Sequence, residues 1–187
     1  AAFGYGIVPW EFRLGARSWA FPGLLAVVLK LGSYVGFSSG QSLVLLVKTS
    51  MALVSLVGLY LTMRLASQLA GPRAAILSGT FATFFPVSVL LSSRAYSEMV
   101  SIPLVLGCIT LSQGDGKKRQ LLSGALAGLA ICIRYQNGLI ACALLAILAS
   151  ERRFKEASWF AMGATSIGLL GGLLDWATWG QPFGAFR

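Results

Sequence analysis

Long apolar runs restrict what this chain can fold into more than any other feature of its sequence. Several runs reach about 18 residues, which at about 1.5 Å per helical residue is enough to cross a hydrocarbon core of about 30 Å. Hydrophobic residues make up 56% of the 187 positions and charged residues only 11%, and the mean hydropathy is +0.76. A soluble domain of this length needs far more polar surface. The sequence therefore predicts an all-α, polytopic bundle of transmembrane helices.

Charge and residue types exclude several classes of function. The net charge is +9, but the basic residues are scattered between apolar runs, which is typical of loops beside membrane helices and argues against a nucleic-acid-binding face. The chain contains no histidine, so a Ser-His-Asp triad and most zinc sites are excluded, and acid–base chemistry must fall to carboxylates. We expect no nucleic-acid partner, no metal and no cofactor.

Charged residues and turn residues divide the apolar sequence into spans. The first residues include no initiator Met and no signal-like stretch, so the chain is expected to be an N-terminally truncated fragment. One membrane domain, residues 1–187, is the simplest organisation. Transmembrane spans are predicted over residues 42–63, 74–91, 99–112 and 157–174, with a short helical hairpin over residues 120–150.

The spans leave three regions with different predicted positions relative to the membrane. Residues 1–40 form a non-cytoplasmic loop, residues 41–174 the transmembrane helices, and residues 175–187 the start of another non-cytoplasmic loop. Glycine, proline and lysine interrupt the apolar segment 20–40, which either spans the membrane or lies on its surface as an interfacial helix. The interfacial placement is favoured because the polar groups then share one side, near Glu11, Arg94, Arg134 and Asp175.

The predicted hairpin places a polar turn inside the membrane. Each arm has about 14 residues, or about 21 Å of helix, which is shorter than a hydrocarbon core of about 30 Å. Polar groups at that depth are tolerated only where protein encloses them or where they line a water-filled cavity. The turn is therefore a candidate site, and it consists of Arg134, Tyr135, Gln136, Asn137 and Gly138.

Arg134 is the leading candidate, because a cation at membrane depth usually marks a ligand, an ion pair or a pathway. Its guanidinium suits a phosphate, while the alternatives are a structural pair with Glu98 or Asp175, or snorkelling to the surface. Arg94 and Glu98 are four residues apart, so they either pair on one helix face or bind a ligand. Asp175 either caps a helix or orients an acceptor sugar.

Helix packing and one further cation complete the pattern within the spans. Gly124 with Gly128, and Gly168 with Gly172, have the small-xxx-small spacing that permits close contact between helices. Lys48 lies inside the first predicted span, where it either snorkels to the surface or faces the bundle.

The most distinctive motif lies near the N-terminus. It consists of Trp10-Glu11-Phe12-Arg13, then Arg17-Ser18-Trp19 and Pro22. This motif resembles that of the alpha-mannosyltransferases that use dolichyl-phosphate mannose in N-glycan and GPI-anchor assembly, together with their prokaryotic relatives. Further similarity extends over Arg94 to Glu98, Arg134, Asp175-Trp176 and the turn from Gly180 to Phe183.

The resemblance implies a GT-C membrane fold and an inverting glycosyl transfer. The donor would be a hexose, mannose by analogy, on a lipid phosphate, and the acceptor a glycan or glycolipid on the non-cytoplasmic face, among membrane lipids. A carboxylate of the first loop would deprotonate the acceptor hydroxyl. The acidic motif of that loop would precede Ala1, so the fragment is expected to be inactive alone, with Glu11 a secondary catalytic candidate.

The resemblance also implies roles for individual residues and a location. Arg134 and Arg94 would bind the donor phosphate, and no metal is implied. The residues that would contact substrate or shape the loops are Trp10, Arg17, Ser18, Glu98, Gln136, Asn137 and Asp175. The membrane would be a bacterial or archaeal cell membrane, or that of the endoplasmic reticulum.

Two other classes of function fit parts of the pattern. Broken helices with buried polar turns also occur in transporters, so a transporter or flippase for a lipid-linked or anionic substrate is the main alternative. A purely structural membrane subunit is the second, and it leaves Arg134 without a purpose.

Overall fold

The computed structural model describes residues 19–180. Within this range the chain forms eight α-helices and no strand, which confirms the predicted all-α membrane bundle. The helices are α1 (Ala20–Tyr34), α2 (Gly40–Ala70), α3 (Pro72–Phe84), α4 (Pro86–Ser92), α5 (Ser97–Ser112), α6 (Lys117–Ile133), α7 (Gly138–Ser150) and α8 (Phe154–Trp179), with a 3-10 turn at Tyr135–Asn137 between α6 and α7.

Two helices are long and apolar enough to cross a membrane on their own. They are α2 and the Phe154–Ala177 part of α8, and the α3–α4 pair adds a third candidate span if its two pieces are taken together. Large apolar side chains cover the outer face of α3, where Leu77 is 71% exposed and Phe84 is 77% exposed. Such a surface suits contact with lipid chains.

The single helix predicted over residues 74–91 is broken in the structure. Its two pieces, α3 and α4, meet at Phe85 and are bent by 67°. Phe85 has φ −68° and ψ 116°, an extended conformation, because the ring of Pro86 disfavours a helical conformation at the residue before it. The rings of Phe81 and Phe85 stack across the break with centroids 5.4 Å apart.

Helix α6 lies at the centre of the bundle, between α5 and α8. Glycines on both sides of the α6–α8 contact remove the side chains that would separate the backbones: a Cβ at Gly124 would overlap the carbonyl oxygen of Phe160, and one at Gly163 would overlap that of Leu121. A Cβ at Gly128 would lie 2.6 Å from the carbonyl oxygen of Ala164. The predicted packing role of Gly124 and Gly128 is therefore confirmed.

Of the second predicted glycine pair, Gly168 makes no close contact. A Cβ at Gly168 would meet nothing within 4 Å, so this glycine faces open space. Gly172, in contrast, is buried. The close approach of α8 to α6 involves Gly163 and Gly171, since a Cβ at Gly171 would overlap the sulfur of Cys132.

The two basic clusters flanking the hairpin lie at one end of the bundle. Arg153, which precedes α8, donates to Asp115 Oδ1 at 2.6 Å, and Lys117 at the start of α6 lies 4.1 Å from the centre of the Trp159 ring. Fully buried Gln120 closes the same end, since its Nε2 donates to the carbonyl oxygens of Ser112 at 3.0 Å and Gly114 at 2.7 Å. The chain therefore leaves this end in α6 and returns to it in α7, as the predicted hairpin requires.

Helix α8 continues past the end predicted for it. The predicted span stopped at residue 174, but the helix runs through Asp175 to Trp179 and ends at Gly180, which has φ 71° in the left-handed region. Glycine adopts that conformation without steric cost and commonly ends helices in this way. Residues 175–179 are therefore helical and not the start of a loop.

Candidate functional site

Arg134 lies where the chain leaves α6 and turns toward α7. Its backbone is extended, with φ −146° and ψ 110°, and the 3-10 turn follows directly. The side chain of Asn137 donates to the carbonyl oxygen of Ala130 at 2.9 Å. The same oxygen accepts the backbone N–H of Arg134 at 2.9 Å, so both contacts tie the turn to the end of α6. Asn137 thus shapes the turn that presents Arg134.

The guanidinium of Arg134 is held by two side chains. One nitrogen forms an ion pair with Glu98 in the first turn of α5, and another donates to Gln136 Oε1 at 2.6 Å. The side chain of Arg134 is 28% exposed and that of Glu98 is 51% exposed, so the pair lies at the edge of the bundle and not in its core. A guanidinium has five N–H donors, and two contacts leave others available to a ligand.

Arg94 does not share a helix face with Glu98, although their spacing allowed it. Helix α4 ends at Ser92 and α5 begins at Ser97, so Arg94 lies in the loop between them. Of the two alternatives for Arg94 and Glu98, pairing on one helix face is therefore wrong. The physical reason is that Glu98 belongs to the next helix and is engaged by Arg134.

Helix α4 ends well below the start of α2. The hydroxyl of Ser55 donates to the carbonyl oxygen of Ser92 at 2.9 Å, which fixes the end of α4 against α2. Ser55 comes fifteen residues after Gly40, so α2 extends about 22 Å beyond this level. The loop with Arg94 begins at this recessed end of α4.

Helix α8 extends past the Arg134 turn in the same way. The thiol of Cys132 lies 3.7 Å from the carbonyl oxygen of Ile167 and touches Gly171. Helix α8 continues for eight residues from Gly171 to Trp179, or about 12 Å. The turn is therefore recessed relative to the end of α8.

Asp175 lies on the part of α8 that extends past the turn. It is 3% exposed and lies inside the helix. Its predicted alternative role as a helix cap is wrong, because the helix ends at Gly180. A buried carboxylate one turn after Gly171 places an acid near the Arg134 turn, at the same end of the bundle.

A groove runs beside Arg94 between α1, α2 and the α4–α5 loop. Its volume is about 590 Å³. Two cations line it, Arg94 from the loop and Lys48 from α2, and no carboxylate of residues 19–180 does. The remaining walls are mostly apolar, formed by Leu29, Gly40, Leu43, Val44, Val47, Ser93, Ala95 and Tyr96. The groove suits an anion attached to an apolar chain.

Lys48 lines the same groove, and the sequence alone did not decide whether its side chain snorkels to the membrane surface or faces the bundle. The structure assigns it to the groove with Arg94. The available signal was a lysine eight residues into a long apolar helix, with no acidic residue one turn away on either side. Its proximity to the loop of Arg94 depends on the packing of α4 against α2, which the sequence pattern does not show.

Several predicted site residues fall in the segment before residue 19. Trp10, Glu11, Arg17 and Ser18 lie outside the described residues, so their proposed roles stay predictions. Between residues 19 and 180, no group of three His, Cys, Asp or Glu side chains is arranged to hold a metal ion. Within these residues the structure pairs Arg134 with Glu98 and lines one groove with Lys48 and Arg94.

Comparisons with known proteins place the chain in a family. The search of curated proteins and the search of solved structures each gave no significant match. The sequence profile of the Alg9-like mannosyltransferase family matches residues 1–182, nearly the whole chain. Its apolar helices and the resemblance of its N-terminal motif agree with this match. The chain therefore belongs to the Alg9-like mannosyltransferase family and is a membrane glycosyltransferase.

Proposed function

We propose that the protein transfers a hexose, mannose in the simplest case, from a lipid-phosphate donor to a glycan or glycolipid acceptor on the non-cytoplasmic face. The observation that carries this proposal is the recessed turn in which Glu98 and Gln136 hold the guanidinium of Arg134. A fixed cation in a recess among apolar helices is suited to the phosphate of a lipid that reaches it from the bilayer.

Arg94 and Arg134 supply the positive charge for the donor phosphate in this proposal. Both lie at the end of the bundle opposite the basic clusters. In the sequence, Glu98 comes between them. Positive charge fixed before the reaction stabilises the phosphate as it becomes the leaving group. Glu98 orients the guanidinium of Arg134 and does not itself contact the phosphate. It is therefore a positioning residue.

The proposed reaction is a single displacement at the anomeric carbon of the donor sugar. The acceptor hydroxyl oxygen forms a bond to that carbon, and its proton passes to a carboxylate. The bond between the carbon and the phosphate oxygen breaks, and the lipid phosphate leaves with the electron pair. A first-loop acid is the expected base, with Glu11 as the secondary candidate, and Asp175 is suited to orienting the acceptor.

The charge distribution supports the non-cytoplasmic placement of the site. The basic clusters around Lys117 and Arg153 lie together at the opposite end, and such clusters favour the cytoplasmic side. Helix α1 supports the same placement, because its 15 residues span about 22 Å, less than a core of about 30 Å. An interfacial α1 keeps the N-terminal motif on the side of Arg134.

The donor class is tested with the full-length protein in sealed proteoliposomes. Radiolabelled mannose is supplied either as polyprenyl-phosphate mannose or as a nucleotide-linked sugar, with a short glycan acceptor. We expect label in the glycan only with the lipid-linked donor, and only where the acceptor meets the face that carries Arg134. Transfer from the nucleotide sugar alone would contradict the proposal. Movement of the lipid-linked donor between leaflets without transfer would favour the flippase alternative.

A further inference from the structure

The groove between α1, α2 and the α4–α5 loop contains one cation, Lys48, to which the proposed function gives no role. It combines two cations with apolar walls, and within residues 19–180 no carboxylate lines it. Leu29 of α1 and Leu43 and Val47 of α2 supply the apolar surface beside Lys48. A ligand that matches both parts carries a negative charge at one end and a long apolar chain.

The position of Lys48 in α2 favours an anionic partner. Lys48 comes eight residues after Gly40, or about 12 Å along a helix whose composition is that of a membrane span. A cation within a membrane span is costly and marks a functional site by default. Arg94 lines the same groove and has the same charge, so both cations attract an anion that enters it.

The groove brings Lys48 and Arg94 together from two elements. Ser55, whose hydroxyl donates to the carbonyl oxygen of Ser92, lies about two turns further along α2 than Lys48, and the loop that follows Ser92 lines the same groove as Lys48. The two cations thus face one volume from α2 and from the α4–α5 loop. A phosphate in this volume would meet a basic side chain from each element, in the way that paired basic residues bind phosphate groups.

We propose that Lys48 is a third phosphate-binding residue for the lipid donor, beside Arg94 and Arg134, and that the apolar wall of the groove holds the first part of the donor's polyprenyl chain. This inference rests on the proposed function, since it takes the donor to be a lipid phosphate. In this arrangement Lys48 and Arg94 bind the phosphate from the side of the polyprenyl chain. Arg134, held by Glu98, binds it from the other side. Lys48 contacts the donor and has no role toward the acceptor.

The test measures binding of sugar-free polyprenyl phosphate to the full-length protein in detergent, apart from any transfer. The variants are Lys48→Gln, Lys48→Arg and the control Lys118→Gln, which removes an exposed lysine from the opposite end. Removing a charge from an apolar helix favours membrane insertion, so Lys48→Gln should retain the fold, and its thermal unfolding in detergent checks this. We expect Lys48→Gln to weaken binding by about 10-fold or more, since a charged hydrogen bond is lost. Lys48→Arg should retain most of the affinity, and Lys118→Gln all of it.

A competition with phosphatidylglycerol distinguishes the donor from an ordinary anionic lipid. We expect the phospholipid to compete poorly, because the groove would select the polyprenyl chain as well as the phosphate. Equal competition would overturn the inference and identify the groove as a general phospholipid site. Unchanged binding in folded Lys48→Gln would overturn it as well. Both outcomes leave transfer by the wild-type protein intact, whereas absence of that transfer would contradict the proposed function and not the binding result.

Discussion

Glu98 and Arg134 form an ion pair between the first turn of α5 and the break that separates α6 from α7. The pair joins two parts of the chain that the helices bring to one end of the bundle. Gln136 binds the same guanidinium at 2.6 Å, so the orientation of Arg134 is set by two contacts.

The first prediction concerns the carboxylate of the pair. Glu98→Gln should lower the transfer rate by about 10-fold or more, because the guanidinium loses the charged hydrogen bond that orients it. Stability should change by less than about 1 kcal/mol, since the pair is partly exposed. Transfer kinetics and thermal unfolding of the purified full-length protein measure the two effects. An unchanged rate would show that Glu98 does not position Arg134.

The second prediction concerns Arg94 in the α4–α5 loop. Arg94→Ala should raise the KM for the lipid-linked donor by about 10-fold, because a phosphate loses a charged partner. The KM for the acceptor should stay the same. Arg73→Ala removes an arginine near the opposite end and serves as the control. Equal effects of the two substitutions on donor KM would contradict a role for Arg94 in donor binding.

The third prediction concerns the close contact between α6 and α8. Gly124→Ala should destabilise the protein by about 1–3 kcal/mol, because its Cβ would collide with the carbonyl oxygen of Phe160. Gly168→Ala is the matched control on α8, since its Cβ would meet nothing within 4 Å. Alanine is the better helix former, so the control should be neutral or slightly stabilising. Thermal unfolding in detergent separates the two, and equal stability would contradict the packing.

The fourth prediction concerns the topology. Single cysteines in place of Arg17 and Lys117, in a background without the native cysteines, should react with a membrane-impermeant thiol reagent from opposite sides of the membrane. The reason is that α1 is too short to span and leaves residue 17 on the side of Arg134. Labelling of both positions from one side would contradict the interfacial placement of α1.

The sequence predicted the fold well where the signal was local. Apolar run length located α2 and α8, and the basic clusters around Lys117 and Arg153 identified the shared end of the hairpin. The break at Phe85 had a local signal as well, namely Pro86, but the apolar composition of the run concealed it. The extension of α8 past Asp175 was missed because a single acid in an apolar helix resembles a boundary.

The candidate site was less accessible to prediction because it depends on which helices meet. The sequence allowed Arg134 to pair with either Glu98 or Asp175, and only the packing of α5 beside α6 selects Glu98. It also allowed Arg94 to pair with Glu98, since spacing along the chain does not reveal that a loop separates them. The groove with Lys48 forms because α4 packs against α2. That contact produces no periodic pattern in the sequence of either helix, so the groove could not be predicted.

The central claim is that Arg134 binds the donor phosphate in its recess, and transfer by the Arg134→Ala variant of the full-length protein tests it most directly. The assay uses polyprenyl-phosphate mannose in proteoliposomes, with Arg64→Ala as a control for loss of an exposed arginine at the other end of α2. We predict that Arg134→Ala lowers the transfer rate by about 100-fold or more, because a preorganised charge at the leaving group is removed. Both variants should insert into the membrane and unfold thermally like the wild-type protein. Normal transfer by a folded, inserted Arg134→Ala protein would contradict the account.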